Sequence, residues 1–226
     1  LIASNVVASY AWLGSRRLRG RDRARFVAGL VAEIPTLLSL DRKDRSDFLR
    51  HFYRRYEGAP VDQITVDSLE KFSELILAKS FPTGIRRVRE HRNLGHHTVL
   101  ITGALDFVVE PFRPLFDDIV SAELEVVDGT YNGRLTAVPP TGEARYQALF
   151  DHAVAHDLDL RESVAYADSA SDLPMLEAVG FPVAVNPETR LAGIARKRGW
   201  LVEDFRKSPG MRRNLLPLAP AGRVGR

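Results

Sequence analysis

Tyr166-Ala167-Asp168-Ser169-Ala170-Ser171-Asp172-Leu173-Pro174-Met175-Leu176 is the stretch whose reading decides the fold. Directly ahead of it, Ser163-Val164-Ala165-Tyr166-Ala167 is short, apolar and β-prone, the pattern of a buried parallel strand. Behind it, Pro174 suits a first helical turn, and Leu173, Leu176 and Val179 carry that helix to a stop at Gly180. Asp168 therefore ends a strand and Asp172 begins a helix, at the edge where open α/β sheets bind ligands. Two carboxylates placed there need compensation, which a hard divalent cation would supply. The simpler alternative is an Asp N-cap beside a solvated Asp.

Outward from that stretch, strands and helices alternate. Phe181–Val185 reads as one more strand, and Gly142–His156 upstream as a helix. Glu125–Leu135 alternates and carries Asp-Gly and Asn-Gly turn signals, so a hairpin is expected. Asp117–Ala122 and Thr98–Thr102 are short strands separated by a helix near Phe107–Leu115. Such alternation means a parallel α/β sheet. The chain before it is helical: one helix from Ser4 or Asn5 with Val6, Val7, Tyr10 and Leu13, a second from about Asp22 through Val31, which Pro35 should end or kink. Further helices are expected over Asp44–Tyr56, Val61–Ala78 and Gly84–Asn93. The expected fold is α/β, a Rossmann-like core under an all-helical cap. The cap spans 1–83, the core 84–204, and a Pro/Gly/Arg-rich tail or linker 205–226.

Composition bounds the function. At 226 residues and 45% hydrophobic, the chain can bury a full core. The absence of cysteine excludes disulfides and thiolate zinc sites. No apolar run approaches the ~20 residues that span a bilayer, and Leu1 opens no signal-peptide pattern, so a cytoplasmic protein is expected. Net charge is only +3, and arginine far outnumbers the five lysines. Arg16, Arg17, Arg19, Arg21, Arg23 and Arg25 form a basic run that could meet lipid or polyanion. Asp22 interrupts it and no aromatic residues interleave with it, so a solvated connection between helices is favoured and no nucleic-acid partner is expected. The six histidines show no metal-ligand spacing, and His152 and His156, four apart on a helix, are read as surface residues.

Taken together, Thr102, the helix start Gly142-Glu143-Ala144-Arg145 and Asp168 with Asp172 give an order that resembles the haloacid dehalogenase-like phosphatases. The branch it resembles contains phosphoserine phosphatase and carries a helical cap. The resemblance implies that Thr102, with Gly103, binds the transferring phosphoryl group. It implies that Arg145 stands where the family has a lysine, and that Asp168 and Asp172 hold Mg²⁺. Arg for Lys is not a conservative exchange, although it keeps the charge. Arg54 and Arg55 in the cap are candidates to meet an anionic group of the substrate, with a solvated face as the alternative.

One departure is large. The family's first motif, Asp-x-Asp-Gly-Thr, which supplies the nucleophile, is not in the sequence. Val126-Val127-Asp128-Gly129-Thr130 has Val126 in the nucleophile's place and reads as a turn. Leu1-Ile2-Ala3-Ser4-Asn5-Val6-Val7 resembles the segment that follows that motif, so the expectation is an inactive truncation of an Mg²⁺-dependent phosphomonoesterase. Its substrate is expected to be a small phosphorylated metabolite. A non-catalytic binding remnant remains open, as does a phosphatase-like module fused to a further domain of a lipid-metabolic protein. The missing strand should leave the Thr98–Thr102 and Ser163–Asp168 strands unpaired with each other, and Leu1 near both.

Overall fold

The computed structural model describes residues 6–206, and of residues 73–79 the backbone only. Five helices come first: α1 (Val6–Ser15), α2 (Gly20–Ala32), α3 (Ile34–Lys43), α4 (Arg45–Tyr53) and α5 (Val61–Lys79). Pro35 does not simply end a helix. It occupies the first turn of α3, where its missing N–H costs nothing, and Glu33 alone separates α2 from α3. Asp44 caps α4 by accepting a hydrogen bond from the Asp47 amide at 2.8 Å. Residues Arg54–Tyr56 add a 3₁₀ turn, which is why the periodic signal runs on to Tyr56.

The α/β part follows in the expected order. It comprises α6 (Pro82–Asn93), β1 (Val99–Leu105), α7 (Asp106–Val109), β2 (Asp118–Ala122), the hairpin β3 (Leu124–Val127) and β4 (Thr130–Leu135), and α8 (Gly142–Ala155). Then come β5 (Val164–Ala167), α9 (Leu173–Glu177), β6 (Phe181–Val185), α10 (Thr189–Arg198) and β7 (Leu201–Glu203). Residue 84, the expected start of the core, falls inside α6. Gly199, at φ 69°, closes α10 in the left-handed conformation that glycine adopts without strain. The chain thus has an α/β core with parallel sheets and a largely helical cap.

Three clusters fill the interior. Leu37, Phe48, Leu49, Phe52, Tyr53 and Tyr56 from the cap pack against Leu105, Phe107 and Tyr131, so the hairpin lies under the cap helices. Ala165, Leu176, Ala184, Leu191 and Ala195 bury the far sheet between α9 and α10. Val109, Phe112 and Phe116 form a smaller cluster beside β1 and β2.

The parallel strands do not form one sheet. β1 pairs with β2, β5 with β6, and β6 with β7, all parallel, while β3 and β4 pair antiparallel. Among the described residues β1 and β5 share no ladder. Between them lies a cleft of about 1020 Å³, bounded by Thr98, Val99, Leu100 and Ile101 on one side and Val164–Asp168 on the other. Adjacent strands sit ~4.8 Å apart, so one strand between two others separates them by ~10 Å. Leu1, expected near both strands, lies outside the described residues.

Candidate active site

β1 carries the site at its carboxyl end. Its register with β2 runs evenly from Val99–Asp118 to Ile101–Val120 and then shifts before Leu105–Ala122. Four residues on β1 thus answer two on β2, a bulge that re-aims Thr102 and Gly103 out of the ladder. The Ala104 amide donates to Thr102 Oγ1 at 3.1 Å, holding the threonine side chain over the bulge. Gly103 is required there by space. A Cβ on it would stand 2.8 Å from both Leu49 Cδ1 of the cap and Thr141 Cγ2 of the core. The Tyr53 hydroxyl donates to the Gly103 carbonyl at 2.8 Å inside the protein, and burial pushes that phenol's pKa up.

Thr141 stands at the N-cap position of α8, so the start of this helix faces the β1 bulge. Arg145 sits one turn in. Its Nε donates to the Pro140 carbonyl at 3.3 Å, and its guanidinium pairs with the Asp172 carboxylate. Asp172 is buried, and burial raises its pKa. Arg145 opposes that rise and the nearby Asp168 adds to it. The Asp168 carbonyl accepts from the Glu188 amide at 2.9 Å, and Glu188 Oε1 accepts from the Ala170 amide at 2.7 Å, fixing the loop between the two aspartates.

Thr102, Gly103 and Arg145 line one cavity of about 300 Å³ between cap and core. Asp172 reaches it through Arg145, whereas Asp168 lines the cleft between β1 and β5. The cap contributes cations to the cavity, but not the expected ones. Arg55 is held by Glu33 and lies over the Phe52 ring, and neither Arg54 nor Arg55 lines the cavity. Arg45 from α4 and Lys71 from α5 do, together with Ser9 and Ser68. Lys71 is marked in the sequence by its helical spacing. Ile64, Ser68 and Lys71 are all buried at helical spacing, so Lys71 and Ser68 occupy positions where α5 would otherwise turn apolar side chains inward. The basic run stays largely at the surface, where Arg16 and Arg17 pair with Asp67 of α5.

The haloacid dehalogenase-like hydrolase family matches residues 1–177, and the chain belongs to it. A Mycobacterium leprae protein is 33% identical over 168 residues, 73% of this chain and 56% of its own length. A phosphoserine phosphatase of Mycobacterium tuberculosis is 33% identical over 152 residues, 66% of this chain and 49% of its own. The chain thus spans about half the length of these relatives. A protein of unknown function from Bordetella pertussis superposes with a TM-score of 0.78 at 24% identity, over 90% of this chain and 93% of that one. That likeness concerns the fold alone. Among the described residues no helix is long and apolar enough to cross a membrane.

Proposed function

We propose that this chain is the phosphoryl-binding and substrate-selecting part of a phosphomonoesterase, with a cap of residues 1–83, a core of 84–204 and a tail of 205–226. The observation that carries the reading is the convergence of Thr102, Gly103 and Arg145 with the cap cations Arg45 and Lys71 on one small cavity. Arg45, Lys71 and Arg145 line about 300 Å³, with Arg45 also paired to Asp41 and Arg145 to Asp172; this basic lining favours a small anionic ligand such as a phosphorylated metabolite, and a relative named for phosphoserine supports that class.

In the proposed reaction an Asp carboxylate, carried on a strand seated between β1 and β5, attacks phosphorus. The O–P bond to the enzyme forms as the ester P–O bond breaks, and the departing alkoxide takes a proton from water, leaving a hydroxide that is neutralised by the proton released in the hydrolysis step. Water then cleaves the aspartyl-phosphate and releases inorganic phosphate. Thr102 and the start of α8 orient the phosphoryl oxygens, and Arg145 offsets their charge. Asp168 and Asp172 offer the hard oxygen donors that suit Mg²⁺, with Asp168 better placed because Arg145 already engages Asp172. Bound there, Mg²⁺ would supply charge neutralisation.

The experiment extends the chain ahead of Leu1 with an Asp-x-Asp-Gly-Thr strand and follows phosphate release from p-nitrophenyl phosphate and phosphoserine in Mg²⁺. Activity should appear, and should fall by roughly tenfold or more in Thr102→Val and Arg145→Ala, as loss of a transition-state contact does. Activity indifferent to both substitutions would refute the assignment.

A further inference from the structure

His97, Asp118, His152 and His156 come together at the end of the molecule opposite the candidate active site. His97 lies just ahead of β1 and Asp118 opens β2, so both sit at the amino edge of this parallel pair. His152 is in the last turn of α8 and His156 is its C-cap. Arg145 and His156 are eleven residues apart on one helix, roughly 16 Å at 1.5 Å per residue, so the two sites are separate.

All three imidazole Nε2 atoms converge on one carboxylate oxygen. Asp118 Oδ2 is 2.9 Å from His97 Nε2 and 3.8 Å from both His152 Nε2 and His156 Nε2. His97 Nε2 and His152 Nε2 are 3.1 Å apart. A tetrahedral ion with ligands at ~2.0–2.1 Å separates them from one another by ~3.3–3.4 Å. The observed spacings bracket that edge, and one potential ligand atom from each of the four residues lies within 4.8 Å of the others. The alternative account, an ordinary hydrogen-bonded cluster, explains His97 with Asp118 but not three rings aiming the same nitrogen at one point.

We propose that these four residues bind Zn²⁺ as a three-imidazole, one-carboxylate site that ties the end of α8 to the amino edge of β1 and β2. Imidazole and carboxylate are common zinc ligands, and four protein ligands close the tetrahedron, so the role is structural rather than catalytic. The side chains of Asp118 and His156 are 39% and 41% exposed, which gives the ion a path in from solvent. Of the two histidines expected at the surface, His156 is exposed and His152 is mostly covered, and the proposal gives both a role as ligands. Spacing hid the site because its ligands come from three separate segments.

The test is calorimetric titration of the untagged chain with ZnCl₂, alongside MgCl₂, and the visible spectrum of the Co²⁺ form. One equivalent of Zn²⁺ should bind, Mg²⁺ should not compete, and Co²⁺ should show the intense absorption of tetrahedral coordination. His156→Asn leaves an exposed helix end that asparagine tolerates, so the fold should persist by circular dichroism. Its Zn²⁺ affinity should drop by roughly tenfold or more, as on loss of a ligand, and Asp118→Asn should behave likewise. His51→Asn, outside both the cluster and the candidate active site, should bind as the parent does. No saturable Zn²⁺ binding, or binding unaffected by His156→Asn and Asp118→Asn, would overturn the proposal.

Discussion

Gly103 is a residue at which cap and core approach closely, and its substitution has a calculable consequence. Gly103→Ala places a methyl 2.8 Å from Leu49 Cδ1 and Thr141 Cγ2, and overpacking of this kind costs about 1–3 kcal/mol. Tyr53→Phe leaves the Gly103 carbonyl without its buried donor, at about 1–3 kcal/mol. Both losses should appear in urea unfolding. Because the two residues share a contact, the double variant should cost less than the sum. Arg145→Ala is the more informative change, since it strands a buried carboxylate, at about 3–5 kcal/mol. The folded pKa of Asp172 lies above 3.8, so the folded state holds this proton more tightly than the unfolded one. Its contribution to stability is present below that value and is lost as pH rises through the folded pKa. Arg145 limits the rise, so its removal lifts the folded pKa further and moves the loss to higher pH. The destabilisation by Arg145→Ala should therefore be larger near neutral pH than near 3.8, and an unfolding series across pH reads it directly. A pH-independent loss would mean that the guanidinium does not restrain Asp172.

At the scale of elements, α4 is the helix that carries Leu49 and Tyr53 to the bulge, and its start rests on one side chain. Asp44→Ala removes the bond to the Asp47 amide and should cost about 0.5–2 kcal/mol, while Asp44→Asn should cost far less. Most elements were legible because their periodicity is strong. Pro174 in α9, the Asp128-Gly129 turn of β3–β4 and the apolar run into Asp168 each had one reading, whereas Asn132-Gly133, expected as a turn, lies inside β4 where the hairpin register shifts. Other elements resisted for local reasons. Pro35 looks like a breaker unless the following turn is known to be a helix start, so α3 was hidden behind the end of α2. β7 has three residues and exposes Leu201 and Val202, leaving little pattern to detect. Within the candidate site, Asp172 was marked by its place where a helix begins, whereas Thr102 and Arg145 were marked only by the order of motifs that resembles the family. Arg45 belongs with them only through the packing of α4 on the core, and no local pattern marks it off from Arg54 or Arg55.

For the whole molecule, the defining feature is that β1 and β5 stand apart across a cleft of about 1020 Å³ while each is paired on its other side. Among the described residues the facing edges of β1 and β5 have no ladder partner, and such edges form a template for one more strand. In the proposed enzyme that strand brings the nucleophile to the carboxyl edge, beside Thr102 and Asp168. Without it, the carboxylates assigned to the metal are Asp168 and Asp172, and Arg145 already engages the second, so Mg²⁺ affinity should be millimolar or weaker by calorimetry and should tighten when an Asp-bearing strand is added. The most direct test is amide hydrogen exchange on Val99–Ile101 and Val164–Ala167, measured before and after extension with an Asp-x-Asp-Gly-Thr strand. Protection should rise on both strands together, in the same preparation in which phosphate release appears. If β1 and β5 exchange unchanged while the added strand protects the outer edge at β2 or β7, the account of the cleft as a strand site is wrong.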